Sequence, residues 1–336
     1  MRALDRDPLG YTQALGMPEL RARIAQHYRD TYAVEVPASR IVVTAGSSGA
    51  FILAFLSLFD AGDTLALPAP GYPCYRHILT ALGQSPVILS TDAATRWMPT
   101  PVQIDEIARR EGLSGLVIAS PANPTGTMLE PGRLAEIAAA CERNRIWLVS
   151  DEIYHGLTYG PQEETALAHS DQAIVINSFS KYFSMTGWRV GWLVVPESLV
   201  RPIERLAQNL YISPPAVSQV AALGAFDGVD ELEANKRVYA ENRALLLDQL
   251  PKAGLDRIVP ADGAFYLYVD VGAFTSDSVA LTREMLADLG IAATPGVDFD
   301  AERGGRYVRL CYAGTTADMA EAAQRLQGWS RLKRRG

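Results

Sequence analysis

From Ile41 onward the chain alternates short apolar runs with stretches of helical period, and this alternation limits the fold more than any other feature of its 336 residues. It is the βαβ signature of a mostly parallel sheet covered by helices on both faces. Seven runs read as its strands: 41–44 (IVVT), 64–67 (TLAL), 86–90 (PVILS), 115–119 (GLVIA), 146–149 (IWLV), 173–177 (AIVIN) and 190–195 (VGWLVV). They are continuous rather than alternating, which predicts strands buried on both faces. Helices are expected between them, among them 46–59, 131–143 and 197–209. A helical stretch over 216–250 is expected to lead into a region of different texture, with a strand at 263–270, a helix at 278–289, strand-like 291–294 and 307–312, and a closing helix from 316. The length fits one large domain and a smaller one. We expect an α/β chain with a large domain over 1–235, built on a mostly parallel seven-stranded sheet, and a small C-terminal α+β domain over 236–336.

Composition narrows the function classes. A net charge of −7 argues against nucleic acid as a partner, because binding it depends on clustered cations. The one basic cluster, 331–335, reads as a solvated helix end. Cys74, Cys141 and Cys311 are odd in number and lack a C-x-x-C pair, so we expect reduced thiols in a cytoplasmic protein and no metal centre. The start, MRALDRDPLG, has no apolar signal core, and the best apolar run, 51–59, is too short to span a bilayer.

Of four lysines, three sit in a charged helix, a turn and the tail. Lys181 differs. It lies in NSFSKYFSMTGWRVGW, directly after a strand and among small, hydroxyl and aromatic residues. A lysine in a partly apolar pocket has its pKa lowered, and a neutral amine is what imine chemistry with a carbonyl group requires. Ser178 and Ser180 before it and Arg189 eight residues after it suit a phosphate, the arginine by bidentate bonds and the serines by completing the oxygens' shell. Another small-residue turn, AGSSGAF, runs from Thr44 into a helix, where N–H groups, the dipole, Ser47 and Ser48 can hold an anion. Its spacing is not that of the dinucleotide fingerprint.

Asp151 stands at the carboxyl end of a strand, where ligands bind in open α/β sheets. An enclosed carboxylate there needs a cationic partner, and a protonated pyridine nitrogen is one. Tyr154 and Asn123, the latter in the proline-framed loop ASPANPTGTML, are within reach of a phenolic ring oxygen in this reading. Tyr72, on the turn APGYPCYR, suits stacking on a flat ring. His155 and Cys74 read as structural side chains.

SFSKYFSMTGWRVGW, SDEIY, PANPTG and YVRLCYA, in this order over nearly the whole chain, resemble the class I/II aminotransferases, the aspartate aminotransferase superfamily of fold-type I pyridoxal-phosphate enzymes. The resemblance implies pyridoxal 5′-phosphate as cofactor and amino-group transfer from an L-amino acid to a 2-oxo acid in ping-pong fashion. It makes Lys181 the Schiff-base and proton-transfer residue, pairs Asp151 with the pyridine nitrogen and directs Asn123 and Tyr154 to the ring oxygen. It assigns the phosphate to Ser47, Ser48, Ser178, Ser180 and Arg189, ring stacking to Tyr72, and the substrate α-carboxylate to Arg309 with Asn123 beside it. Tyr11, in GYTQALGMPELR, matches a tyrosine that crosses to the neighbouring subunit's phosphate, so a homodimer with shared sites is expected. Members of the family also carry an arm and a glycine-containing loop ahead of this motif. Here the sequence starts at it, and the expectation is a more open site or a start downstream of the natural one. Gln208 stands where dicarboxylate-specific members have an arginine, which points away from aspartate or glutamate as donor. The same motifs occur in C–S β-lyases and aminocyclopropane-carboxylate synthases, which a release of ammonia without an acceptor would reveal. An impaired truncated homologue is a further alternative, against which the joint presence of Lys181, Asp151, Arg189 and Arg309 speaks.

Overall fold

A computed structural model describes residues 9–332, so the expectations for the first eight residues and for the tail beyond Leu332 lie outside the described residues. All seven expected strands form: β1 (Ile41–Thr44), β2 (Thr64–Ala69), β3 (Ser85–Ser90), β4 (Gly115–Ala119), β5 (Trp147–Asp151), β6 (Ile174–Ser178) and β7 (Gly191–Val194). They make one sheet in the order β1-β7-β6-β5-β4-β2-β3, with only β7 antiparallel to its neighbours.

Successive side chains of a strand point to opposite faces, and each face has its own helices. On one side Leu116, Ile118, Val175 and Trp192 meet α1 (Pro18–Tyr32), α4 (Pro101–Glu111), α5 (Arg133–Asn144) and α7 (Ala216–Ala225). On the other, Val117, Ile174, Ile176 and Leu193 meet α2 (Gly46–Leu58), α3 (Pro73–Ala81) and α6 (Glu197–Leu210). This two-sided burial is why the strands read as unbroken apolar runs. β3 departs from that expectation: it is one of the sheet's two edge strands, and Ile88 is 49% exposed, whereas β1 at the other edge is buried.

The stretch 216–250 is not one helix. It breaks after α7 and resumes as α8 (Val229–Gln249). Phe226 turns inward at the break to pack on Phe179 and Phe183, with ring centroids 5.4 and 5.1 Å away. Asp227 and Gly228, both poor helix formers, accommodate the turn.

The remaining elements are β8 (Tyr266–Asp270), α9 (Ser278–Leu289), β9 (Thr294–Pro295), β10 (Tyr307–Cys311) and α10 (Thr316–Gly328). The strands form an antiparallel sheet in the order β8-β10-β9. A third core, including Leu246, Leu267, Met285, Leu310 and Leu326, joins it to α8, α9 and α10. β8 begins later than the expected 263, because Gly263 and Ala264 instead bond to Gly126 and Leu157 in the loops above the large sheet. No helix among the described residues is long and apolar enough to cross a membrane.

Candidate active site

The carboxyl ends of β4, β5 and β6 and the turns after β1 and β2 open on one cavity of about 340 Å³. α2 begins there. Its N-cap, Ala45, makes no side-chain cap, so the first-turn N–H groups keep hydrogen-bonding capacity and the dipole adds partial positive charge. Ser47 and Ser48 line the cavity at this point, joined by Ser180 and Arg189 from the β6–β7 connection. The approach depends on Gly46, at φ +75°, where a Cβ would lie 2.6 Å from Arg189 Nη2. Arg189 is itself left-handed, at φ +49°, which costs an ordinary residue about 1–2 kcal/mol. Its Nη1 donates to the Thr186 carbonyl at 3.0 Å. Several donors converging with a guanidinium suit a phosphate group.

Asp151 ends β5 and is 4% exposed. Its Oδ1 accepts from the Ile153 N–H at 3.1 Å, and its Oδ2 accepts from the Tyr75 hydroxyl. Burial pushes its carboxyl up to about 6 in spite of these donors. Lys181 shares the cavity, its Nζ lying 5.8 Å from the Tyr154 ring centre and 5.6 Å from that of Phe265. Burial lowers its pKa, while the Asp151 charge opposes that shift. Tyr72 meets Tyr75 edge-on, with centroids 5.4 Å apart, and the Tyr154 hydroxyl is 2.9 Å from that of Tyr266.

Arg309 enters from the small sheet. Its Nη1 donates to Asn123 Oδ1 at 2.8 Å and its Nη2 to Thr294 Oγ1 at 3.1 Å. The guanidinium carbon lies 4.3 Å from the Tyr266 ring centre and 4.8 Å from that of Phe299. Its Nε is buried without a partner. Asn123 is presented by a loop with cis peptide bonds at Ser120–Pro121 and Asn123–Pro124.

The cavity therefore collects Ser47, Ser48, Tyr72, Asn123, Asp151, Tyr154, Ser180, Lys181, Arg189 and Arg309. Two expected residues are not among those lining it. Ser178 is buried one layer behind, its Oγ 2.9 Å from Ser180 Oγ and 3.1 Å from the Val190 carbonyl, so it braces Ser180 instead of facing the cavity. Tyr11 lies outside and is 84% exposed. The sequence reading missed Tyr75, which holds Asp151, and Tyr266, which packs on both Arg309 and Tyr154. Tyr75 follows Tyr72 by three residues in APGYPCYR, which is the one signal that pointed to it.

Sheet order, crossover helices and a lysine facing a buried carboxylate are together those of a fold-type I transferase. The chain belongs to the aminotransferase class I and II family, whose model matches residues 2–326. It is 50% identical to the valine–pyruvate aminotransferase of Mycobacterium tuberculosis over 331 residues, which are 97% of this chain and 85% of that protein. The crystal structure of an aminotransferase from M. tuberculosis superposes with a TM-score of 0.96 at 50% identity, covering 98% of this chain and 85% of that one. A tetra mutant of Thermus thermophilus aspartate aminotransferase superposes with a TM-score of 0.91 at 27% identity, covering 97% and 90%. The chain is an aminotransferase.

Proposed function

We propose that this aminotransferase works through pyridoxal 5′-phosphate held in the cavity, with an aliphatic L-amino acid as donor and pyruvate or a similar 2-oxo acid as acceptor. The observation that carries this reading is Lys181, whose amine has no hydrogen bond or ion pair among the described residues. It shares one cavity with an uncapped helix start, a buried carboxylate and an arginine with an orphaned nitrogen. The residues fit the group. Ser47, Ser48, Ser180, Arg189 and the first turn of α2 would hold the phosphate, Asp151 the pyridine nitrogen, Tyr154 and Asn123 the ring oxygen, and Tyr72 would stack on the ring. When bound, the cofactor supplies an electron sink for the pair released at the substrate α-carbon.

The chain's own residues do the rest. Asp151 would keep a negative charge against the ring nitrogen. Lys181, its pKa lowered by burial, is the amine that takes the proton from the α-carbon and returns it. Arg309 exchanges Asn123 and Thr294 for the substrate carboxylate, turning neutral contacts into charge-assisted ones and fixing the α C–H bond for transfer. Both half-reactions use this one site in turn. Among the described residues the cavity wall carries three cations, Lys181, Arg189 and Arg309, and each would be engaged by cofactor or α-carboxylate. None of these three is left for a side-chain carboxylate, which agrees with the named substrates of the mycobacterial relative.

The division of the chain near residue 235 is supported by α8, where Leu232 packs in the large core and Leu246 in the small one. Shared sites in a homodimer are supported by the exposed Tyr11 segment, which Thr12 N–H ties to Ser213 Oγ at 3.3 Å, beside Leu210 and Ile212, which are also exposed.

The test is an absorbance spectrum of the protein with pyridoxal 5′-phosphate, wild type beside Lys181→Ala, before and after adding L-valine, with alanine measured after adding pyruvate. A visible band that depends on Lys181, bleaches with valine and returns with stoichiometric alanine is expected. Ammonia release without an acceptor would replace transfer by elimination.

A further inference from the structure

A second cavity of about 220 Å³ is lined by His155, the residue after Tyr154, and by Ser178, which is bonded to Ser180. Next to Asp151 stands Glu152, 1% exposed. Its Oε1 accepts from the Ala166 N–H at 2.8 Å and is 3.2 Å from Ser150 Oγ. Its Oε2 is buried with no hydrogen-bond partner, and His155 Nδ1 lies 3.7 Å from it. His155 is buried as well. Its Nε2 is 3.1 Å from the Ser120 carbonyl and its Nδ1 is 2.8 Å from the Tyr32 hydroxyl. A carbonyl only accepts, so Nε2 must carry a hydrogen and Nδ1 is the atom free to gain or lose one.

We propose that His155 is a positioning residue that balances the charge of Glu152 directly behind Asp151 and, through Ser120, fixes the loop that presents Asn123. Two adjacent buried carboxylates resist ionising together. A proton kept between Glu152 and His155 resolves the conflict, whether it sits on the carboxyl or on Nδ1. In both cases the pair is neutral and Asp151 carries the only net charge of the three groups. The pull of each partner on Asp151 agrees: Glu152 raises its pKa and His155 lowers it. The other titratable groups around His155 are His27 and Tyr32 of α1, Glu163 on its own connection, Tyr182 after β6, and Glu233 and Lys236 of α8. Glu163 is engaged by the Gly156 N–H at 2.9 Å and Glu233 by the Tyr182 hydroxyl at 2.6 Å, which leaves Glu152 as the carboxylate for His155 to balance.

The inference rests on pyridoxal 5′-phosphate binding at Asp151 and is tested by cofactor affinity, not turnover. Binding is titrated from acid to alkaline pH for wild type, His155→Gln and the double variant Glu152→Gln/His155→Gln. Thermal unfolding is followed alongside. Glutamine keeps a donor for Ser120 but cannot take up the charge. Affinity falls as the medium is acidified through the apparent pKa of Asp151. In His155→Gln this fall is expected at higher pH by about one unit, or about fivefold weaker binding at the wild-type midpoint. In the double variant it returns to or below the wild-type position, because the competing carboxylate is gone. Should His155→Gln fail to fold, His155→Asn, which also keeps a donor and cannot take up the charge, replaces it in the same comparison. Equal loss in both variants, or no displacement in either while the wild type binds, would overturn the pairing. A wild type without Lys181-dependent binding would overturn the cofactor reading and this inference together.

Discussion

The two ends of the cavity are built on different terms. Asp151 sits at a strand end fixed in register between β4 and β6, and both its oxygens have dedicated donors. Arg309 sits on a three-stranded sheet whose edge strand β9 is two residues long, and its guanidinium rests on two neutral oxygens with Nε unpartnered. In the proposed reaction Asp151 keeps one charge throughout, and permanent partners suit that role. Arg309 there takes and releases a carboxylate twice per cycle, which neutral acceptors suit because a charged ligand displaces them at a gain.

Removing Lys181 tests the comparison most severely, because it belongs to neither end and serves both. Lys181→Ala is expected to lower the single-turnover rate with valine by at least about 10³-fold, within the range for a lost general acid–base group. Stopped-flow absorbance measures this. A residual rate within tenfold of wild type would move the proton transfer to another residue.

Asp151→Asn comes next and separates function from stability. Catalysis and cofactor affinity are expected to fall by about 10²-fold, as when one partner of a buried ion pair is lost. Without cofactor the sign reverses. The native carboxyl at about 6 holds its proton more tightly than the ordinary carboxylate of the unfolded chain. The native state therefore loses stability as pH rises from about 4 to about 6, by roughly 3 kcal/mol in total. The cofactor-free variant is expected to be more stable than cofactor-free wild type at pH 8 by about 1–3 kcal/mol and level with it near pH 4. Urea unfolding at the two pH values checks this, and an unchanged difference would mean that burial does not penalise Asp151.

Arg309→Lys probes the exchangeable end. An ammonium cannot reproduce the planar fork, so KM for valine is expected to rise about 10- to 100-fold, or about 1.4–3 kcal/mol. Cofactor affinity should stay within about twofold of wild type, since the substitution leaves Asp151, Ser47, Ser48 and Arg189 untouched. A matching loss of cofactor affinity would merge the two ends into one unit.

The large sheet was legible because two-sided burial writes each strand as an apolar run, as in GLVIA and AIVIN. The same rule misread β3, since SPVILS is as apolar as its neighbours and nothing local says that Ile88 faces outward on the last strand. The break between α7 and α8 was hidden for a related reason: Phe226 continues the apolar pattern, and its partners Phe179 and Phe183 are distant in sequence. In the site, Lys181 announced itself by its surroundings. Ser178 lies one layer further in: spacing in SFSK does not say which hydroxyl turns toward the cavity, and a side chain at the end of β6 is engaged by the strand's own surroundings. Arg309 emerged only from a family resemblance, because an arginine inside YVRLCYA has no local oddity until Asn123, 186 positions earlier, is brought to it.

Tyr75 gives the smallest expected effect and the finest test of the fixed end. Its hydroxyl donates to Asp151 Oδ2 across 76 positions of sequence, and its ring packs on Phe51 with centroids 5.0 Å apart. Tyr75→Phe keeps that packing and removes only the donor. A hydrogen bond to the charged form favours that form, so its loss should raise the Asp151 pKa further above about 6. The acid fall of cofactor affinity is then expected to move up by less than about one pH unit, with a loss of less than about 1 kcal/mol in binding at pH 6–7 that shrinks further at pH 8.5, where the carboxyl is ionised in either protein. A loss of equal size at every pH would make Tyr75 a packing residue, and the permanence of Asp151's charge would then rest on the Ile153 N–H and on the Glu152–His155 pair.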